Sequence, residues 1–136
     1  MLTNRSMPPG TIIPELPYAD VRAAAAWLCR AFGFAERLRI GDHRVQLRLG
    51  DAALVVVQQG ETVPGGGGGI MVRVADVDAH HARAIAMGAC ALGTPTDYPY
   101  GERQYSALDP GGHRWTFSQS IADVDPVIWG GEPVGP

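Results

Sequence analysis

Ala19-Asp20-Val21-Arg22-Ala23 and Ala75-Asp76-Val77-Asp78-Ala79, 56 residues apart, are near copies of each other. Each follows a short apolar stretch, Ile12 to Tyr18 in the first case and Ile70 to Val74 in the second, and opens an alanine-rich segment. Each closes at a glycine: Gly33 lies 13 residues after the first aspartate and Gly88 lies 12 after the second. A strand-helix unit written twice predicts a pseudo-symmetric domain that holds something between its copies.

Working outward, Asp20 has the chemistry of an N-cap for a helix over Val21 to Phe32, which Gly33 ends. Ala24, Trp27, Leu28, Ala31 and Phe32 recur at three- and four-residue spacing, giving an apolar stripe suited to a sheet and placing Trp27 in the helix-sheet core. Beyond Ala35 the pattern changes to short strands around Leu38 to Ile40, Arg44 to Leu49 and Ala53 to Val57, separated by Gly41-Asp42 and Gly50-Asp51. In the second half Asp76 or Asp78 caps a helix ending at Met87-Gly88. Strands are expected near Ala89 to Leu92, Gln104 to Leu108 and His113 to Gln119, with Asp109-Pro110-Gly111-Gly112 as the last hairpin turn. Tyr98-Pro99-Tyr100 reads as loop, and the Gly- and Pro-rich tail from Asp123 reads as unpacked. Thr62-Val63-Pro64 and the run Gly65 to Gly69 read as a flexible connector, because neither the lysine nor the helix of a phosphate loop follows.

The chain has 136 residues, 46% of them hydrophobic, enough for one real core. We therefore expect a single domain over 1–136, with module one at about 11–60, connector 61–69, module two at about 70–120 and a tail over 121–136. A formal charge of −3 without a basic run argues against nucleic acid as a partner and faintly favours a cationic ligand. Cys29 and Cys90 have neither metal-ligand nor framework spacing and read as thiols in a reducing compartment. No stretch has the length of a membrane span or a signal peptide, so the expected location is the cytoplasm, away from membranes.

Two βαβββ modules, an Asp-Val opening each helix, the ending Ala31-Phe32-Gly33-Phe34 and the terminal run Asp109-Pro110-Gly111-Gly112-His113-Arg114-Trp115 together resemble the vicinal oxygen chelate superfamily. That group includes glyoxalase I, extradiol dioxygenases and the fosfomycin- and bleomycin-resistance proteins, and the likeness covers about residues 11 to 120. It implies an α+β fold whose curved mixed sheet encloses a cleft, commonly completed by homodimerisation and sometimes with an arm exchanged between chains.

Metal enzymes of the superfamily place His or Glu on particular strands. Counted from the capping aspartates, the corresponding positions here are Ile13, about Val56, Gly69 and Thr116, and a shift of one or two residues reaches only Glu15. None of these offers a convincing ligand set. His80 and His81 are adjacent on a helix, about 100° apart, and so cannot share an ion as an i, i+4 pair does; they read as a solvated face. His43 reads as surface and His113 as part of a turn. No catalytic triad is recoverable, so no catalytic residue, metal or cofactor is assigned.

Period-2 geometry places Ile13 with Glu15, Met71 with Arg73, and Arg114 with Thr116 and Ser118. The resemblance turns those faces inward, together with Gln104 and Ser106, while Trp115 and Phe117 face a helix. Glu15 and Arg73 on such a face need solvent, a ligand or each other. Tyr98 and Tyr100 form a preferred lid or groove wall, and Trp129 either covers a flat ligand or packs at a dimer seam. The expected ligand-binding set is therefore Ile13, Glu15, Met71, Arg73, Tyr98, Tyr100, Gln104, Ser106, Arg114 and Thr116. The function it implies is metal-independent sequestration of an aromatic natural product or peptide antibiotic, close in character to the bleomycin-resistance branch. The rival reading is a divergent glyoxalase-like lyase or dioxygenase that recruits Glu15, His113 or a partner chain's residue, and a third is a structural dimer whose cleft is filled by its own side chains.

Overall fold

The computed structural model describes residues 4, 6–8, 10, 12–59, 69–131 and 133. Nearly all of the expected connector lies outside them. The chain resolves into two compact units, Met1–Gly67 and Gly68–Pro136, each with its own helix and sheet.

The first unit runs β1 (Glu15–Tyr18), α1 (Val21–Phe32), β2 (Ala35–Ile40), β3 (Arg44–Leu49) and β4 (Ala52–Gln58). Its strands are ordered β1-β4-β3-β2, with β1 parallel to β4 and the other pairings antiparallel. Helix α1 begins where the sequence placed it, because Asp20 Oδ1 accepts from the Ala23 N–H at 3.0 Å. It ends at Gly33, whose φ of 83° lies in the left-handed region open to glycine. The stripe of Val21, Ala24, Leu28, Ala31 and Phe32 is buried, and Trp27 packs edge-to-face on Phe32 at 4.9 Å. Val45, Leu47, Leu54 and Val56 complete this core from the sheet.

The second unit runs β5 (Gly69–Arg73), α2 (Val77–Ala86), β6 (Cys90–Ala91), β7 (Thr96–Tyr98), β8 (Glu102–Leu108) and β9 (Arg114–Ser120), followed by a short 3-10 helix over Pro126–Trp129. The order is β5-β9-β8-β6, with β5 parallel to β9 and with β7 also antiparallel to β8. Asp76, not Asp78, caps α2: its Oδ1 accepts from the Ala79 N–H at 3.1 Å. Asp78 instead meets Arg103, which also holds Asp97 of β7.

Three expectations are corrected here. Tyr98 closes a strand rather than sitting in a loop, because Thr96, Asp97 and Tyr98 pair with Gln104, Arg103 and Glu102. Gly69 opens β5 and so belongs to the sheet, not the connector. His80 is not solvated: its ring lies 3.9 Å from that of Phe117, and its Nδ1 shares a hydrogen bond with the Tyr105 hydroxyl. Both aromatics project from the sheet face that Trp115 shares, so an imidazole one helical turn from Val77 and Ala84 is drawn into the helix-sheet layer. Burial, with Arg83 adding, pushes the His80 pKa down to about 4. Burial also pushes the Tyr105 phenol up.

The last hairpin turn is built around Asp109, whose buried carboxylate accepts from the backbone N–H groups of Gly111 and His113 and from Trp115 Nε1. A proline-glycine turn and a core tryptophan are thereby tied to one side chain. Cys29 and Cys90 are thiols and form no disulfide. No helix among the described residues is long and apolar enough to cross a membrane.

A candidate ligand cleft on the second sheet

Strand alternation sorts the second sheet into two faces. Trp115, Phe117, Tyr105 and Ala107 are buried on the α2 side. The opposite face follows from the ladder: Met71 pairs with Thr116 and Arg73 with Ser118 across β5 and β9, while Ser106 meets Thr116 and Gln104 meets Ser118 across β8 and β9. On this face lies a cleft of about 500 Å³. Seven residues of the expected set line it: Met71, Tyr98, Tyr100, Gln104, Ser106, Arg114 and Thr116. A smaller cavity of about 280 Å³ shares Met71, Arg114 and Thr116 with it and reaches Gly69 and Ile70.

The remaining three expected residues are placed elsewhere. Arg73 lies on the same sheet face but does not line the cleft. Ile13 and Glu15 belong to the first unit, where Glu15 pairs with Arg44 at 3.4 Å rather than with Arg73. Residues 92–94 and Thr96 were not anticipated, although Leu92, Gly93, Thr94 and Thr96 line the cleft. The signal available for them was an apolar residue followed by Gly-Thr-Pro-Thr, a turn composition that supplies no pattern for its partner strand.

A directed chain of hydrogen bonds crosses the face. Glu102 is its anchor: bonds from the hydroxyls of Ser120 and Ser118, with Arg73 adding, hold the carboxyl below the usual carboxylate range. An ionised carboxylate only accepts, so Ser118 Oγ donates to Glu102 Oε1 at 2.7 Å. Ser118 Oγ must then accept from Gln104 Nε2, at 2.9 Å. That orients the Gln104 amide with Oε1 toward Tyr100, whose hydroxyl donates to it at 3.0 Å. The Tyr100 oxygen keeps its lone pairs, so the chain ends in an acceptor at the cleft wall. Ser106 and Thr116 satisfy each other at 2.8 Å.

The aromatic wall is layered. Tyr98 and Tyr100 lie nearly parallel, 10° apart with centroids 5.5 Å apart, and Trp129 meets Tyr100 edge-on at 5.6 Å. The tail is therefore not unpacked where it passes this wall. Gly101 explains the route. Its φ is 84°, a Cβ there would collide with the Ala122 carbonyl oxygen, and its own carbonyl accepts from the N–H groups of Ile121 and Ala122.

Three of the four positions that correspond to metal ligands in the enzymes, Val56, Gly69 and Thr116, have other surroundings here. Val56 is fully buried with the α1 core, and register places Val55, not Val56, opposite Glu15. A Cβ on Gly69 would crowd the Arg114 carbonyl, and Thr116 is bonded to Ser106. Among the described residues no three His, Cys, Asp or Glu side chains converge as a metal set. His113 gives its backbone N–H to Asp109.

Two βαβ-based units with a cleft on one sheet face define a vicinal-oxygen-chelate-type fold. The chain belongs to the Glyoxalase/Bleomycin resistance protein/Dioxygenase superfamily, whose family model matches residues 12–117. Among solved structures it is similar to TioX from Micromonospora sp. ML1, with 36% identity and a TM-score of 0.69 over 85% of this chain and 100% of that one. It is also similar to TnmS3, an antibiotic binding protein from Streptomyces sp. CB03234, with 30% identity and a TM-score of 0.68 over 79% of this chain and 93% of that one. Mb0911c of Mycobacterium bovis shares 36% identity over 56 residues, 41% of this chain and only 37% of its own length. The match thus spans little more than a third of that relative.

Proposed function

We propose that this protein binds and sequesters an aromatic natural product or peptide antibiotic, without a metal, as a cytoplasmic homodimer that confers resistance or self-protection. The observation that carries the reading is the cleft wall itself: two stacked tyrosines, backed by a tryptophan, face a bed of hydroxyl and amide groups. Such a surface offers a flat ring an apolar platform and a few directed polar contacts, the composition of a small-molecule binding site rather than of a reaction centre. Binding alone protects, because protein present above the dissociation constant holds most of the toxin in complex and lowers its free concentration by mass action. Similarity to an antibiotic binding protein supports the same class of ligand.

The reading gives no chemical role to Glu15 and His113, the residues a metal-dependent lyase or dioxygenase would have to recruit; one is ion-paired with Arg44 and the other is built into a turn. The deciding experiment is tryptophan quenching by a panel of aromatic antibiotics, repeated in excess chelator. Saturable binding unchanged by chelation is the expected result. A stoichiometric transition metal in purified protein, lost together with binding on chelation, would overturn it.

A further inference from the structure

The cleft contains one formal charge. Of the side chains that line it, Arg114 is the one basic or acidic residue, and none of the ion pairs among the described residues includes it. Arg73, on the same face, is differently placed, outside the lining and within electrostatic reach of Glu102. A guanidinium at the wall of a largely uncharged cleft favours a ligand that brings the missing negative charge. This reverses the faint preference for a cationic ligand that the net charge of the whole chain conveys, because binding responds to local charge.

The arrangement also sets a separation. Tyr98 opposes Glu102 at one end of β8, and Arg114 opposes Leu108 at the other, six residues along the strand. At the rise of a β-strand that is roughly 20 Å between backbone positions, before the side chains lean in. A compact aromatic acid therefore reaches one end of the cleft or the other, whereas an elongated molecule reaches both.

We infer that the ligand class is an elongated aromatic acid, with a planar ring held on the Tyr98–Tyr100 wall and an anionic group, carboxylate or equivalent, held by Arg114. The inference rests on the binding function proposed above and narrows it. Gly69 contributes by letting β5 approach the backbone of Arg114 closely, a position where a Cβ would meet the Arg114 carbonyl at 2.8 Å.

The test uses three fluorescent probes that share one ring: pyrene-1-butyrate, pyrene-1-butanol and pyrene-1-carboxylate. In the native protein the butyrate should bind about tenfold tighter than the uncharged butanol, the factor expected for one charge-assisted contact, and also tighter than the short-armed carboxylate. Arg114→Gln should erase the gap between butyrate and butanol by weakening the butyrate, and Arg114→Lys should keep part of it. Added salt should narrow the gap in the native protein. Equal binding of butyrate and butanol, or a gap that survives Arg114→Gln, overturns the assignment of an acid while leaving an aromatic-binding cleft in place. Equal binding of the two acids overturns the elongated shape. Failure of all three probes to bind overturns the aromatic-binding reading and this inference with it. Thermal melting of both variants, at an exposed position, establishes that the comparison is between folded proteins.

Discussion

Trp115 Nε1 donates to Asp109 Oδ2 over 2.9 Å inside the second unit, joining a hairpin turn to the largest side chain of the helix-sheet core. Because the other carboxylate oxygen takes the Gly111 and His113 N–H groups, three donors depend on one residue. Asp109→Ala should lower stability by about 3 kcal/mol, since it leaves buried donors unmatched as well as removing charge-assisted bonds. Urea unfolding followed by tryptophan fluorescence reads this directly, and a change under 1 kcal/mol would refute the role assigned to the carboxylate.

Trp27 should matter to stability alone. Deleting a buried aromatic that packs on Phe32 is expected to cost about 3–5 kcal/mol. A Trp27→Ala protein that melts like its parent yet no longer binds aromatic ligands would move the site to the first unit.

Tyr100 should separate ring binding from polar orientation. Tyr100→Ala removes the stack on Tyr98 and should weaken aromatic ligands about tenfold with little loss of stability. Tyr100→Phe keeps the stack but loses the acceptor, so only ligands with an N–H or O–H near the ring should suffer. Calorimetric titration of both variants against one ligand with that donor and one without it distinguishes the two contributions.

Stability should fall as the medium is acidified from pH 6.5 toward 4. The His80 ring is neutral in the fold down to about pH 4, whereas an unfolded histidine takes up its proton near 6.5. The unfolded state thus binds more protons in that window, and stability present above it is lost as pH falls through it. Screening at a ring that is only partly enclosed limits the effect to about 1 kcal/mol. His80→Phe, which keeps the packing on Phe117, should flatten this segment of the pH profile. An unchanged slope in that variant would mean that the imidazole is not the group responsible.

Much of the architecture was legible in the residues because local chemistry and burial agree there. Asp20, Gly33 and Asp76 act through contacts a few residues away, and strict alternation sorted Arg114, Thr116 and Ser118 from Trp115 and Phe117. What escaped depends on partners distant in sequence. Thr96 to Tyr98 is exposed at every position and too short for a periodic signal, and it is a strand only because β8 offers it an edge. His80 looked polar and solvated because nothing local reveals that Tyr105 and Phe117 lie beneath it. Among the site residues, face was readable but position along the face was not. Arg73 and Arg114 had equal claims in sequence, and only the placement of the cleft separates them.

Gly101 makes the segment after β9 answer to the aromatic wall. Both Ile121 and Ala122 hang from its carbonyl, and the chain beyond them brings Trp129 back against Tyr100. Residues 121–131 therefore form a cuff behind the wall: substitutions there act on the Tyr100 ring through Trp129, while the caps and the buried layer that fold the sheet stay untouched. If the cleft binds as proposed, this stretch is where its fit can be retuned at little risk to folding, provided that Gly101, on which the cuff is hung, is kept.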